Sequence, residues 1–308
     1  MNYSKLSLKS KYLFLAMRPS QWTKNLLVFT APFFSFKFES DIWLGSFSAL
    51  TAFCLISSCI YLINDCLDVE SDRKHPHKRF RPLASGKISI SNALFFSIAL
   101  FLIGIYIAMK SSLLLVYILL AYVLIHLGYC LYFKKIPILD LFCISSGFLL
   151  RCFAGGASSN LYLSPWFILS VGLLALFIAV EKRKSELILI QKTGVLTRSV
   201  LGKYSLEILV KMENLVATSA FMTYALWAAG SPLDESKGAE MLITVPFVMM
   251  GIFRYQLLMT YQHRNKKINK VKNFNFESPE EIFLNDRFMQ LIVIFWLIVS
   301  AIIGLLYF

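Results

Sequence analysis

Residues 42–72 read IWLGSFSALTAFCLISSCIYLINDCLDVESD, and the change of character within this stretch decides the fold. Residues 42–63 carry no charge and match the run of about 20 residues that a helix needs to cross a hydrocarbon core. Acid follows at once: Asp65, Asp68 and Asp72 stand at i, i+3 and i+7, beside Asn64 and Glu70. If the helix continues, its turn of about 100° per residue gathers the three aspartates within about 60°, one acidic face at a membrane boundary. Carboxylates so close repel unless a cation lies among them. Hard oxygen ligands favour Mg²⁺ or Ca²⁺, and Mg²⁺ usually completes its shell with water and phosphate oxygens. A solvated acidic helix end is the plainer reading of any single aspartate, whereas the triplet beside Asn64 reads as a metal site of Asp65, Asp68 and Asp72.

What comes next in the chain is basic. Arg73-Lys74-His75-Pro76-His77-Lys78-Arg79-Phe80-Arg81-Pro82 places cations directly beside the carboxylates. A metal would hold one phosphate group of a polyanion while Arg and Lys hold the remainder. Asn64, Arg73, Lys78, Arg79 and Arg81 are therefore expected to bind substrate phosphate. His75 and His77 read as loop residues, since their cationic neighbours disfavour a transition metal.

The rest of the chain repeats the apolar theme. Of 308 residues, 57% are hydrophobic and only 16% charged, far from the roughly 25% charged of a soluble domain. Spans are expected near 22–38, 42–63, 88–109, 113–133, 138–157, 164–180, 208–229, 240–262 and 288–308, with nothing left over for a separate soluble domain. The first of these follows four basic residues but lacks a small-residue cleavage site, so it reads as a retained helix rather than a signal peptide. Lys and Arg concentrate in 1–25, 64–87, 134–137, 181–207 and 263–287, which hold 25 of the 31 basic residues. Cytoplasmic loops retain such residues, so the N-terminus and the acidic cluster are expected on the cytoplasmic side of the cell membrane. The net charge of +13 is thus largely a topology signal, partly an affinity for anionic headgroups or phosphorylated substrates, and not a nucleic-acid surface. Six cysteines lie in or beside apolar runs without a Cys-x-x-Cys pair, and read as small buried hydrophobes.

Further candidates lie within the spans. Asp140 and Arg151 are eleven residues apart, on one helix face, with Arg151 roughly 16 Å deeper. Charge at that depth faces a polar interior: either the two join helices as ion-pair partners, or Asp140 assists at the substrate and Arg151 binds an anion. Lys24 and Lys134 close the ends of the first and fourth spans, where snorkelling is ordinary and phosphate binding is the functional reading. Tyr129 and Tyr204 are interface anchors or contacts to phosphate or ribose. Lys211, Glu213, Arg254 and His126 read as structural.

The wording Asn64-Asp-x-x-Asp-x-x-x-Asp72, followed by Arg81-Pro-Leu-Ala-Ser-Gly86, resembles the first aspartate-rich motif of the UbiA-type intramembrane prenyltransferase superfamily. Within it, Arg18-Pro-Ser-Gln-Trp22-Thr-Lys24-Asn25, Asp72 to Arg79, Tyr129 through Lys134 to Asp140, Gly147 to Arg151 with Gly155-Gly156, and Lys182-Arg183-Lys184-Ser-Glu186 are similar to the branch that acts on decaprenyl phosphate. The likeness runs from about residue 15 to 205, with a weaker echo at Glu277 to Glu280 and Asp286-Arg287. It implies an all-α integral membrane fold of nine helices around a central cavity with cytoplasmic cap loops, the whole of 1–308 forming one domain. It also implies Mg²⁺, a phosphoribosyl diphosphate donor and a polyprenyl phosphate acceptor, in a chain compatible with a homo-oligomer. Aromatic prenyltransferases of the superfamily carry a second aspartate pair after the sixth helix. Here Glu181 to Glu186 intervenes, and that loop suits direct phosphate binding by Lys182 and Arg183.

The expected reaction moves a 5-phosphoribosyl group from phosphoribosyl diphosphate to the lipid phosphate and releases diphosphate. Stabilising charge that develops on the leaving group is commonly the largest catalytic contribution. No strong base is needed, because the acceptor is already anionic. The alternative within the superfamily is transfer of a prenyl group from its diphosphate to an aromatic ring. A transporter, from another class, would spread its charges through the bilayer depth, whereas the acids here concentrate at one face.

Overall fold

In a computed structural model the chain is described at residues 10–37, 39–75, 78–193, 199–230, 239–264 and 285–307. Every regular element among them is helical. A 3₁₀ segment, Pro19–Phe29, leads into α1 (Thr30–Ser35). There follow α2 (Ser40–Leu67), α3 (Val69–Lys74), α4 (Ile90–Ser111), α5 (Leu113–Leu131), α6 (Leu139–Ser158), α7 (Pro165–Thr193), α8 (Leu206–Ala228), α9 (Val245–Arg264) and α10 (Arg287–Tyr307).

Local chemistry sets several of these boundaries. Ser89, Ser112 and Ser205 cap α4, α5 and α8, each accepting a backbone N–H of the first turn in its side-chain oxygen. Ser112 is extended and both ends α4 and starts α5, so one residue turns the chain between two spans. Seven helices among the described residues are long and apolar enough to cross a membrane. They correspond to seven of the nine expected spans. The first expected span is instead the 3₁₀ segment plus short α1, ended by Phe36 in the left-handed region, and α8 carries Glu207, Lys211 and Glu213 in its first half. The protein is a multi-pass membrane protein. Its outward stripes, such as Phe95, Ile98, Leu102, Tyr106 and Met109 on α4, are exposed apolar faces of the kind that meet lipid.

One expected loop is helix. The sixth span does not end near residue 180, because α7 continues through Glu181 to Glu186 and on to Thr193. That sequence contains neither Gly nor Pro, is rich in good helix formers, and is tied by the i,i+3 pairs Lys184–Glu181 and Arg183–Glu186, both at 2.7 Å.

The chain forms two compact units, one of residues 1–134 and 150–162, the other of 135–149 and 163–308. In the first, α2 packs on α4 and α5 around Phe53, Ile56, Leu115, Leu119 and Tyr122. Small residues bring backbones together there: a Cβ on Gly155 would lie 1.9 Å from the Val28 carbonyl oxygen. In the second, α7 to α10 close on Leu176, Val180, Leu209, Tyr255 and Met289. Arg254 of α9 grips Asp286 with two bonds, at 3.1 and 2.8 Å, which fixes the start of α10.

Candidate active site

The acidic cluster of the first unit forms where α2 gives way to α3. Asp68 stands at the junction with φ −94° and ψ 5°, outside helical geometry, although its N–H still reaches the Asn64 carbonyl at 2.9 Å. This one-residue interruption corrects the expected single face. Counting about 100° per residue holds only along an unbroken helix, and Asp68 interrupts this one. Asp65 and Asp72, 2% and 5% exposed, both turn to Arg81, whose Nη1 lies 3.2 Å from Asp65 Oδ1 and 2.6 Å from Asp72 Oδ2. Asp68 turns instead to Lys134, which donates to Oδ1 at 2.7 Å. The three expected metal ligands therefore do not meet at one point. Among the described residues no group of three His, Cys, Asp or Glu is gathered for a metal.

The donor set nevertheless fits a divalent cation in kind. Asp65 and Asp72 already converge on one cationic nitrogen, and carboxylate oxygens are the ligands that Mg²⁺ prefers. Two further cations complete the cluster. Arg81 and Lys134 were expected; Arg18 was not, and its Nη2 donates to Asp65 Oδ1. Three carboxylates are thus matched by three cationic side chains, Arg18, Arg81 and Lys134, the pattern of a site built to hold charge of both signs.

Other expected phosphate ligands lie around this cluster or away from it. Asn64 and Lys78 are half-buried, as is Lys24. Arg73 is exposed, bonding Glu70 at 2.9 Å and the Ala84 carbonyl at 3.3 Å, while exposed Arg79 lies over the Phe80 ring. Tyr129 packs against the first unit's core. His75 Nδ1 accepts the Lys78 N–H, and His77 lies outside the described residues, as do Glu277 to Glu280. Arg151 is 4% exposed; its Nε donates to Asn25 Oδ1 at 2.7 Å and its guanidinium lies over the Phe53 and Tyr122 rings. Fully buried Asn25 also donates to Ser57 and Cys54, so it is a polar joint between helices that hydropathy gave no reason to single out.

Asp140 and Arg151 are not partners. In the second unit Asp140, fully buried, has both oxygens occupied: Tyr204 donates its hydroxyl to Oδ1 at 2.8 Å and Arg183 its Nε to Oδ2 at 2.7 Å. Both oxygens of this carboxylate are thus engaged by protein donors. Arg183, 1% exposed, also binds Glu186 at 2.7 Å, and Lys184 links Glu181 to Glu213. Gln256 adds a bond to Glu213 at 2.8 Å. Lys182 is the half-buried member of this α7 stretch. Tyr204 also accepts the Ile138 N–H at 2.6 Å, which holds Ile138 at φ 69°, a strained value for a β-branched residue. Burial, and after it the hydrogen bond to Asp140, pushes the Tyr204 phenol up, so it remains a donor.

Comparison with known proteins gives this arrangement its context. The model of the UbiA prenyltransferase family matches residues 26–278. A decaprenyl-phosphate phosphoribosyltransferase of Corynebacterium glutamicum is 33% identical over 288 residues, covering 91% of this chain and 83% of that protein. One from Mycolicibacterium smegmatis is 34% identical over 298 residues, covering 92% and 90%. Among solved structures, a UbiA homolog from Archaeoglobus fulgidus bound to DMAPP and Mg²⁺ superposes with a TM-score of 0.72 at 18% identity, covering 96% of this chain and 99% of that one.

Proposed function

The chain belongs to the UbiA prenyltransferase family, and from that premise we propose that it transfers a 5-phosphoribosyl group from phosphoribosyl diphosphate to a decaprenyl-type polyprenyl phosphate. The observation that carries this reading is identity of one third, across nine-tenths of the chain, to two decaprenyl-phosphate phosphoribosyltransferases. The family model runs across both compact units, in keeping with a single transferase domain.

In the reaction the bond between ribose C1 and the diphosphate oxygen breaks, its electron pair leaving with the diphosphate. An anionic oxygen of the lipid phosphate forms the new bond to C1. No proton has to be removed from the acceptor, in keeping with a site whose titratable groups are carboxylates paired to Arg and Lys. Asp65 and Asp72, with Asp68 beside them, would hold Mg²⁺, which when bound supplies positive charge to the departing diphosphate. Arg81 orients the two buried carboxylates, and Lys134 orients Asp68. Lys24, Asn64, Arg73, Lys78, Arg79, Tyr129, Arg151, Lys182 and Arg183 are read as phosphate-binding or supporting residues, Arg151 and Arg183 through the buried contacts described above. Asp140 acts through Arg183 and Tyr204. The concentration of Lys and Arg in alternate segments supports a cytoplasmic N-terminus and a cytoplasmic acidic cluster.

Mass spectrometry of the lipid product decides the matter. Purified protein given phosphoribosyl diphosphate, polyprenyl phosphate and Mg²⁺ is expected to yield the phosphoribosyl lipid and free diphosphate. Turnover solely with a prenyl diphosphate and an aromatic acceptor overturns the reading.

A further inference from the structure

We propose that Arg18 is a donor-binding residue, its guanidinium stationed on Asp65 and passing to the diphosphate of the donor when that donor binds. This rests on the reading above that the acidic cluster receives a diphosphate donor. The first observation is conformational. Arg18 has φ 54° and ψ 61°, in the left-handed region, and it immediately precedes Pro19. Residues before proline are pushed toward extended backbone, so a non-glycine residue here is strained. Strain of this kind persists where the surroundings over-determine it, and it gathers at ligand clamps.

The surroundings do over-determine it, without help from the Arg18 side chain. Ser58 donates its hydroxyl to the Met17 carbonyl at 3.0 Å, and Trp22 Nε1 donates to the same Ser58 oxygen at 3.0 Å. Phe14 meets the Trp22 ring edge-on at 6.1 Å, and the Gln21 N–H closes the turn on the Arg18 carbonyl at 2.9 Å. Glycine would make this turn with less strain. What arginine adds is the place its guanidinium reaches: Asp65 Oδ1, with the Tyr61 ring 5.1 Å away and the side chain 24% exposed.

Charge supplies the second observation. Asp65 carries one negative charge and already holds Arg81 at 3.2 Å. A second guanidinium exceeds what that carboxylate requires, so Arg18 can leave while Asp65 stays paired. The planar fork of arginine suits a phosphate bidentately, and stacking on Tyr61 keeps it in place during the exchange. A lysine would keep the charge and lose the fork.

The test uses the full chain in detergent and the variants Arg18→Lys and Arg18→Gly. Donor Kd is measured by calorimetry without acceptor, KM is measured separately for donor and lipid, and Tm is recorded with and without donor. Donor Kd and donor KM are expected to rise about ten- to a hundredfold, the effect of one lost charge-assisted hydrogen bond, while lipid KM holds. Donor-free Tm of Arg18→Gly should stay near wild type, since the strained turn becomes easy. Unchanged donor Kd in the variants overturns the proposal and leaves Arg18 a structural partner of Asp65. Should Arg18→Gly fail to fold, Arg18→Lys decides. If wild type ignores phosphoribosyl diphosphate but binds a prenyl diphosphate, the proposed function fails, and the same variants titrated with that donor still judge Arg18. Absence of binding to either diphosphate sinks both.

Discussion

Asp65 shows how much a single residue can hold in this protein. It is 2% exposed, yet two guanidinium groups reach one of its oxygens. Asp65→Asn keeps the shape and removes the charge, so turnover is expected to fall at least about a hundredfold, in the range seen when charge-stabilising groups are removed from active sites. Rate and Tm measured together separate this from unfolding; near-wild-type turnover would remove Asp65 from the chemistry. Tyr204 is the residue-scale counterpart in the second unit. Tyr204→Phe takes the donor from Asp140 Oδ1 and the acceptor from the Ile138 N–H, at an expected cost of about 1.5–3 kcal/mol for a hydrogen bond to a charged group. Denaturation in detergent checks it. Cys66, next to Asp65 in the chain, is half-buried and outside every polar contact described above, so Cys66→Ser should leave the rate unchanged.

At the scale of elements, the close approach at Gly155 and the ionic seam along α7 are the sensitive points. Gly155→Ala drives a methyl group into the Val28 carbonyl, and overpacking of this kind costs about 1–3 kcal/mol or more. Lys184→Met would leave Glu181 and Glu213 buried without their cation, a loss of about 3–5 kcal/mol. The Arg254–Asp286 clamp between α9 and α10 answers to pH in a defined direction. The hydrogen bonds from Arg254 hold the Asp286 carboxyl below its ordinary value of 3.8. Its contribution is therefore present above that value and disappears as pH falls through the lower folded one. Asp286→Asn should lower Tm at neutral pH, with the gap from wild type narrowing as pH falls below the ordinary carboxyl value of 3.8; a gap that stays constant on acidification would show that the charge of Asp286 is irrelevant.

At the scale of the molecule, the lopsided basic loops make a statement about the bilayer. With 25 of 31 Lys and Arg in alternate loops, a tag at the N-terminus should be reached only from the cytoplasm and one at the C-terminus only from outside. Protease protection in oriented vesicles measures this, and tags exposed on one and the same side would refute an odd number of crossings. The spans were readable because hydropathy is local: each run of apolar residues declares itself without reference to any other. The extent of α7 was misread because Glu181 to Glu186 looks like a polar loop until the buried partners that neutralise it, Asp140 and Glu213, are seen.

By itself the sequence determined that this is a helical membrane protein with acid and base massed at one boundary, since span length, charge placement and the spacing of Asp65, Asp68 and Asp72 are properties of neighbours along the chain. Only the tertiary structure decided which carboxylate meets which cation. Arg18 reaches Asp65 across 47 positions and Lys134 reaches Asp68 across 66, while Asp65 and Asp72 share Arg81. Pairings over such distances depend on where packed helices bring their ends, and no periodicity along the chain encodes that.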